Sequence, residues 1–299
     1  MKHLPLYLLL AVFAFSCGTT DDEPLSDYPN AHLLISADQL AERIETDDFL
    51  LIDARDEMEE GVIPGAIHFP AISKLTDPDH PIEHFLVGPD RFQELMRETG
   101  LNDDSRVVIY DEGTSLAAAR LFYALDYYGF NSDMSILNGG LEGWIAQGYS
   151  LADEPASPGT GNFEFQIQEN LACDFEYITE AAQSDDKIVF DARSREEYTG
   201  EDERAAASGH IPNAVHLEWS NVLEQEGVPY FLPASEIQSQ YDEVGITPDK
   251  EVIPHCHTNV RGSHAYFTLR LMGYDSVRPY EGSWADYGNR EGAPVNQFE

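Results

Sequence analysis

The fold is decided by the stretch Val252-Ile-Pro-His-Cys256-His-Thr-Asn-Val-Arg261-Gly-Ser-His-Ala-Tyr-Phe-Thr-Leu-Arg-Leu-Met-Gly-Tyr274. The short apolar run at 251–254, which leads into this stretch, predicts a buried strand. Apolar residues then recur at i, i+4 and i+7, which predicts a helix with one apolar face; they are Ala265, Leu269 and Met272. Gly273 is a helix stop signal. The sequence therefore predicts a strand and a helix joined by a tight loop from Cys256 to Arg261.

This loop has the composition of a reactive site. A thiol there faces the loop amides and the positive end of the helix, both of which favour thiolate over thiol. Arg261 adds a fixed positive charge that can hold an anion. The alternative is that Cys256 is simply a small buried apolar residue. Cys-dependent phosphatases have one residue more between cysteine and arginine than the four in this loop. The shorter loop favours a single sulfur atom over a tetrahedral phosphate.

Length and charge limit the classes of function. The chain has 299 residues, enough for two domains with separate cores. Its formal net charge of −38 excludes nucleic acid and anionic membrane surfaces as partners. The same charge works against an anionic substrate unless salt screens it. An acidic, lysine-poor surface is typical of extreme halophiles, and an acidic protein from an ordinary host is the alternative.

The N-terminus predicts an export signal. Residues 4–15 form an apolar run too short for a permanent membrane-spanning helix. Ala14-Phe15-Ser16-Cys17 resembles the lipobox of bacterial lipoproteins, whose cysteine is lipidated and becomes the new N-terminus; an ordinary signal peptide cut near Ser16 is the alternative. Gly18, in place of aspartate, favours the outer membrane over the inner one. Residues 17–30 then form a polar, lipidated tether in the bacterial cell envelope.

The rest of the chain contains an internal repeat. Five motifs occur twice in the same order, and the pairs, first copy before second, are: Phe49-Leu-Leu-Ile-Asp53-Ala-Arg55 and Lys187-Ile-Val-Phe-Asp191-Ala-Arg193; Gly61-Val-Ile-Pro-Gly65-Ala-Ile-His68 and Gly209-His-Ile-Pro-Asn213-Ala-Val-His216; Arg106-Val-Val-Ile-Tyr-Asp111 and Glu251-Val-Ile-Pro-His-Cys256; Tyr127-Tyr-Gly129-Phe130 and Leu271-Met-Gly273-Tyr274; Leu137-Asn-Gly139-Gly140 and Tyr280-Glu-Gly282-Ser283. This repeated order indicates that the chain contains two copies of one domain.

Each copy alternates short apolar strands with helical stretches, which predicts an α/β fold with a parallel sheet flanked by helices on both faces. Both Asp-Ala-Arg turns close a strand, and ligands of such sheets bind at the carboxyl ends of the strands. We expect a signal peptide at 1–16, the tether at 17–30, a first domain at 31–152, a linker rich in Pro, Gly and Ser at 153–161 and a second domain at 162–299.

The chain from about residue 33 to 296 resembles the tandem-domain rhodaneses, which are thiosulfate or 3-mercaptopyruvate sulfurtransferases. The motifs that carry the resemblance are Asp191-Ala-Arg-Ser-Arg-Glu-Glu-Tyr198-Thr-Gly200, Gly209-His-Ile-Pro212, Tyr280-Glu-Gly-Ser-Trp284-Ala-Asp-Tyr-Gly288 and Asn138-Gly-Gly-Leu-Glu-Gly-Trp144. In that family the second domain carries the cysteine and the first has lost it. In this chain the first-domain position is Asp111, which implies a non-catalytic first domain.

The resemblance also implies roles for single residues. Cys256 would take the outer sulfur of a donor as a persulfide, which a thiophilic acceptor such as cyanide or a thiol then removes. The amides of His257, Thr258, Asn259, Val260 and Arg261 would surround that sulfur. Arg261 would bind the anionic group of the donor, with Arg193 as a second anion contact; a structural salt bridge is the alternative for Arg193. Asp191 would hold the loop. Trp284 and Gly282 would serve packing and turn formation, while Asp53 and Arg55 would be structural.

Donor choice depends on departures from the family patterns. The run from Cys256 to Arg261 resembles that of bacterial thiosulfate-using rhodaneses more than the Gly-Ser/Thr-Gly-Val-Thr run of mercaptopyruvate-using members, so we expect thiosulfate. A charged His257 would assist anion binding at lower pH. The ligand types His255, Cys256, His257 and His264 lack the spacing of a metal site. We expect no metal and no cofactor.

Other functions and partners follow from the same residues. A sulfur carrier, in which Cys256 passes sulfur to a protein partner, is the first alternative to an enzyme. A phosphatase or arsenate reductase is the second, and the loop length disfavours it. We expect a monomer that acts on small-molecule donors and acceptors and that meets the membrane only through the lipid on Cys17. A disulfide between Cys173 and Cys256 is a further alternative, less favoured than a reactive Cys256.

Overall fold

The computed structural model describes residues 25–44 and 48–297 and contains two parallel β-sheets, one for each copy of the repeat. The predicted signal peptide, the lipobox and most of the tether lie outside the described residues. Short 3-10 helices precede both sheets, at Leu25–Asp27, Ala31–Leu33 and Glu169–Leu171. Within the described ranges, no helix combines the length and apolarity needed to cross a membrane.

The N-terminal domain has a five-stranded sheet. Its elements are β1 (Leu34–Ile35), α1 (Ala37–Ile44), β2 (Leu50–Asp53), β3 (Ile67–His68), α2 (Ala71–Leu75), α3 (Pro89–Glu98), β4 (Val107–Tyr110), α4 (Leu116–Tyr127), β5 (Met134–Leu137) and α5 (Gly140–Ala146). The strand order in the sheet is β1-β5-β4-β2-β3. Successive residues of β2 point to opposite faces: Leu51 enters one apolar core and Ile52 the other. Both faces of the sheet are therefore covered, as predicted.

The C-terminal domain has a shorter, three-stranded sheet. Its elements are α6 (Phe175–Ala181), β6 (Lys187–Asp191), α7 (Arg195–Thr199), β7 (Val215–His216), a 3-10 helix (Trp219–Val222), α8 (Ala234–Val244), β8 (Glu251–His255), α9 (Val260–Leu271) and α10 (Ser283–Tyr287). The strand order β7-β6-β8 repeats the order β3-β2-β4 of the N-terminal sheet. Single parallel bridges from Val277 to Val252 and from Cys173 to Tyr280 continue the sheet beyond β8. They occupy the places that β5 and β1 hold in the N-terminal domain.

The strand register brings the repeated motifs together. Asp53 at the end of β2 pairs with Tyr110, and Asp191 at the end of β6 pairs with His255. Each Asp-Ala-Arg turn therefore lies beside the loop that follows the central strand. The carboxyl edge of the C-terminal sheet thus carries the Cys256 loop, as the repeat predicted.

The two domains meet through α4 and α9. Phe122 contacts Phe267 and Tyr123 contacts Tyr266, with ring centroids 5.0 and 5.2 Å apart. One apolar core contains residues of both domains. This contact corrects the expectation of a single apolar face on α9, because nearly all of that helix is buried between its own sheet and α4. Met272 lies just past the last residue of the helix.

Candidate active site

Cys256 is the first residue after β8, and its side chain is completely buried. The first two residues of α10 hold its backbone: the Cys256 N–H donates to Ser283 Oγ at 3.3 Å, and the Trp284 N–H donates to the Cys256 carbonyl at 3.0 Å. Cys256 and Cys173 are both free thiols, so the structure has no disulfide between them. Burial raises the pKa of the Cys173 thiol far above its ordinary value.

The loop turns into α9 at Asn259, whose φ of +58° lies in the left-handed region. The Asn259 side chain donates to Glu281 Oε2 at 2.6 Å, and its carbonyl accepts the Ser263 N–H at 2.9 Å. Helical geometry leaves the first-turn amides, starting at Val260, without acceptors within the helix. These amides lie at the positive end of α9, next to Cys256, where they favour an anion.

Arg261 makes a bidentate ion pair with Glu197 of α7. Its Nη1 and Nη2 lie 2.5 and 2.9 Å from the two carboxylate oxygens. Burial by itself would raise the pKa of Glu197, but the hydrogen bonds and charge of Arg261 outweigh this and lower it to about 2. Burial would likewise lower the pKa of Arg261, yet Glu197 and Cys256 together raise it. The guanidinium is charged and lies within reach of both the carboxylate and the thiol.

The histidines beside the cysteine carry no charge at neutral pH. Burial lowers the pKa of His255 and of His257, and it lowers that of His264 to about 3. The sequence predicted a charged His257 at lower pH, and burial moves the protonation of this histidine to a still lower pH. Half-buried His257 and Thr258 line the loop, while Asn259 and Val260 are buried.

The structure favours the salt-bridge alternative for Arg193. Its Nε and Nη2 donate to Asp191 at 2.9 and 2.6 Å, and Nη2 also donates to the Gly209 carbonyl at 2.8 Å. Its guanidinium lies 4.3 Å from the Trp284 ring centroid, and only 1% of the residue is exposed. Arg193, the expected second anion contact, is thus paired with the carboxylate two residues before it in the sequence.

The same pair recurs in the N-terminal domain, as expected for Asp53 and Arg55. Arg55 Nε and Nη2 donate to Asp53 at 2.9 and 2.5 Å, and Nη2 also donates to the Gly61 carbonyl. Because a domain without the cysteine keeps this arrangement, we infer that the pair fixes the strand end rather than taking part in chemistry.

Asp111 fills the loop that corresponds to the Cys256 loop. Its carboxylate accepts the backbone N–H groups of Gly113, Ser115, Ala117 and Ala118 at 2.9–3.3 Å. Burial and the adjacent Glu112 raise its pKa to about 6, while the backbone hydrogen bonds act in the opposite direction. Because this pKa is still below 7, the carboxylate is mainly ionised at neutral pH. The N-terminal loop therefore already contains an anion, supplied by the chain itself.

Each domain also covers the loop of the other. In the N-terminal site, a Cβ at Gly139 would lie 2.5 Å from the Tyr230 ring, and the Phe231 N–H donates to Asn138 at 3.0 Å. In the C-terminal site, the Leu86 N–H donates to Glu281 at 3.0 Å. Asn138 and Glu281 are repeat equivalents, so the two contacts are related by the internal symmetry.

Four residues of this site escaped the sequence analysis: Glu197, Ser283, Glu281 and Arg120. Glu197 had a local signal, since Ser194 and Glu197 form a capping box at the start of α7. Arg120 had a weaker one, as the single basic residue of the mostly apolar helix α4. Ser283 and Glu281 act through contacts that no local pattern contains.

The rhodanese-like domain family matches the chain twice, at residues 36–147 and 175–290. The chain belongs to the rhodanese family. The thiosulfate sulfurtransferase of Azotobacter vinelandii is 31% identical, with 91% of this chain and 99% of the relative aligned. The sulfur carrier protein TtuD of Thermus thermophilus is 29% identical over the same shares of the two chains.

Among solved structures, the anaerobic ergothioneine biosynthesis enzyme from Chlorobium limicola, in complex with trimethyl histidine, superposes on this rhodanese with a TM-score of 0.80. The match covers 90% of this chain and 71% of that one. At 24% identity it supports the two-domain fold alone.

Proposed function

We propose that this rhodanese is a sulfurtransferase that takes the outer sulfur of thiosulfate onto Cys256. The Cys256 thiolate attacks that sulfur, the S–S bond of thiosulfate breaks, and sulfite leaves with the electron pair. A nucleophilic acceptor, such as cyanide or a thiol, then attacks the terminal sulfur of the persulfide. Cyanide leaves as thiocyanate and the cysteine thiolate is regenerated. In each step the electron pair of the broken S–S bond stays on the departing sulfur atom, so neither step needs an external oxidant, reductant or cofactor.

The observation that carries this proposal is the comparison of the two loops. In the N-terminal domain the amides of the loop converge on the Asp111 carboxylate. The equivalent loop of the C-terminal domain has Cys256 at the position of Asp111. A persulfide on Cys256 supplies an anionic sulfur in the place of that carboxylate, and preorganised amides stabilise it. The backbone amides of residues 257–261 would therefore form a cradle for the anionic outer sulfur of the persulfide.

Arg261 supports an anionic donor. It is the cation on the loop itself, its charge reaches Cys256, and about a fifth of its side chain is exposed. Thiosulfate would share Arg261 with Glu197 or displace it. Thiosulfate is favoured over 3-mercaptopyruvate by the loop sequence.

The test is thiocyanate formation from cyanide with thiosulfate or 3-mercaptopyruvate, at low and at molar salt, with Cys256→Ala as the control. We expect turnover with thiosulfate that Cys256→Ala abolishes and that salt increases, because salt screens the net charge of −38. Turnover that survives in Cys256→Ala would refute the mechanism. A higher kcat/KM with 3-mercaptopyruvate would refute the donor assignment alone.

A second candidate function is that of a sulfur carrier, which one observation favours: a relative aligned over nearly its whole length is named a sulfur carrier protein. The persulfide chemistry is the same, but the acceptor is a protein. A preformed Cys256 persulfide that is stable to cyanide yet discharged by a cell extract would favour this function. Rapid discharge by cyanide favours the enzyme.

We also propose an envelope location, on the basis of the sequence alone. The apolar run at 4–15 and the lipobox ending in Cys17 support a lipid anchor, and the acidic composition supports a high-salt habitat. Cell fractionation of the full chain tests the anchor: Cys17→Ser should move the protein from the membrane to the soluble fraction. An unchanged distribution would contradict lipidation of Cys17. Sedimentation of the soluble form tests the expected monomer.

A further inference from the structure

Arg120 is a buried charge of the N-terminal domain whose partners surround the loop of the other domain. It lies in α4 and is 1% exposed. Its Nη1 lies 3.1 Å from Glu281 Oε2, 3.2 Å from Ser263 Oγ and 3.5 Å from the Asn259 carbonyl, while Nη2 lies 2.7 Å from Glu281 Oε1. Nη2 also donates to the His84 carbonyl at 2.8 Å. One side chain thus joins α4, a covering loop and the start of α9.

Glu281 connects this arginine to the cysteine loop. One carboxylate oxygen accepts the Leu86 N–H at 3.0 Å, and the other accepts the Asn259 side-chain amide at 2.6 Å. Glu281 is 7% exposed, so without Arg120 its charge would be buried and uncompensated. The two residues therefore act as one unit.

The unit acts where the loop is strained. Asn259 has a positive φ, a conformation that costs free energy in a residue with a side chain, though less in asparagine than in most others. Its carbonyl and its side chain are both held, by Arg120 and Glu281 respectively. The direction of the first amides of α9, and so the shape of the sulfur cradle, depends on this residue. Burial would lower the pKa of Arg120, but Glu281 and, more weakly, Cys256 raise it, so its positive charge reaches the thiol.

We propose that Arg120 is a positioning residue for sulfur transfer, holding the Cys256 loop through Glu281 and Asn259. The N-terminal domain, which has Asp111 where a cysteine would be, then remains part of the active site of the other domain. The inference rests on the proposed function of Cys256.

The test compares Arg120→Met with Arg270→Met. Arg270 lies at the far end of α9 and pairs with Asp126 of α4 at 3.2 Å, so it is a matched charge across the same helix pair. For Arg120→Met we expect kcat for thiocyanate formation to fall by roughly 30-fold or more, with KM for thiosulfate changed by less than about threefold, since small misplacements of reacting groups cost up to about 100-fold. Arg270→Met should stay within about twofold, and Arg120→Lys should recover part of the rate.

A second readout does not depend on turnover. Amide hydrogen exchange of the peptide covering 256–263 should accelerate about tenfold in Arg120→Met and stay unchanged in Arg270→Met. If the wild type makes no thiocyanate, the proposed function fails, while the exchange experiment still decides on the positioning role. Equal exchange and equal kcat in the two variants would overturn the inference.

The variant Arg120→Met with Glu281→Gln covers the case in which Arg120→Met does not fold. It removes the uncompensated carboxylate but does not restore the lost donors to Asn259 and Ser263. We expect the double variant to fold and to remain slow. A return of the full wild-type rate would show that only charge compensation was at stake and would overturn the positioning role.

Discussion

The substitution Glu197→Gln separates two roles of Arg261. In the free protein Arg261 makes two charge-assisted hydrogen bonds to Glu197, at 2.5 and 2.9 Å. Glutamine keeps the size of the side chain and one acceptor oxygen, so one of the two bonds is lost. If Arg261 binds the donor anion, Glu197 competes with that anion. Removing the carboxylate should then strengthen donor binding.

The magnitude follows from the geometry. A charge pair at about 4 Å and an effective dielectric constant of about 20 is worth about 4 kcal/mol, but desolvation and the retained hydrogen bond offset much of this. A net loss of about 2 kcal/mol in the free protein agrees with the usual value of a hydrogen bond to a charged group. The donor-bound protein, in which Arg261 turns to the donor, loses less. The difference, about 1.4 kcal/mol, corresponds to a roughly tenfold lower Kd for thiosulfate.

Calorimetric titration of thiosulfate in a Cys256→Ala background measures this Kd without turnover. Glu196→Gln is the matched control, because Glu196 is the exposed neighbour of Glu197 on α7. Its substitution removes the same charge from the same helix. The unfolding midpoint in urea should fall for Glu197→Gln and remain near the wild-type value for the control. An unchanged or higher Kd, together with the lower midpoint, would refute the reasoning. Arg261 would then have only a structural role, holding α7 through its salt bridge with Glu197.

Three further outcomes are expected. Asp111→Cys combined with Cys256→Ala should form no thiocyanate, because Tyr230 and its neighbours cover the N-terminal loop; measurable turnover would contradict that. Burial lowers the pKa of His264 from 6.5 in the unfolded chain to about 3 in the folded protein. The unfolded chain therefore binds the proton first, and the free energy of unfolding decreases as the pH falls from 6.5 to about 3. His264→Phe should reduce this decrease, measured by urea unfolding at several pH values. An equally steep loss of stability with falling pH in His264→Phe would exclude His264 as the cause of that loss. Gly139→Ala should cost about 2–3 kcal/mol in urea unfolding, because φ is +72° and the new Cβ would meet Tyr230 at 2.5 Å; a loss under about 0.5 kcal/mol would contradict the contact.

Much of the fold was present in the sequence because it rests on local patterns. The apolar runs ending at Asp53 and Asp191 are short strands, and the repeated order of five motifs implied two copies of one sheet. The position of Cys256 between a strand and a helix is likewise local. Within one copy, parallel strands have their carboxyl ends at the same edge of the sheet, so the sequence alone predicted that the Asp-Ala-Arg turn and the Cys256 loop lie at one edge.

The tertiary structure decided how the charges pair. For Arg193 the sequence left an anion contact and a salt bridge open, and in the structure Asp191, two residues away, binds its guanidinium. Arg261 pairs with Glu197, which lies 64 positions earlier in the chain. Arg120 reaches its partner Glu281 over 161 positions. A sequence lists charged residues, but burial makes their pairing obligatory, and only the packed chain determines which opposite charge lies within reach.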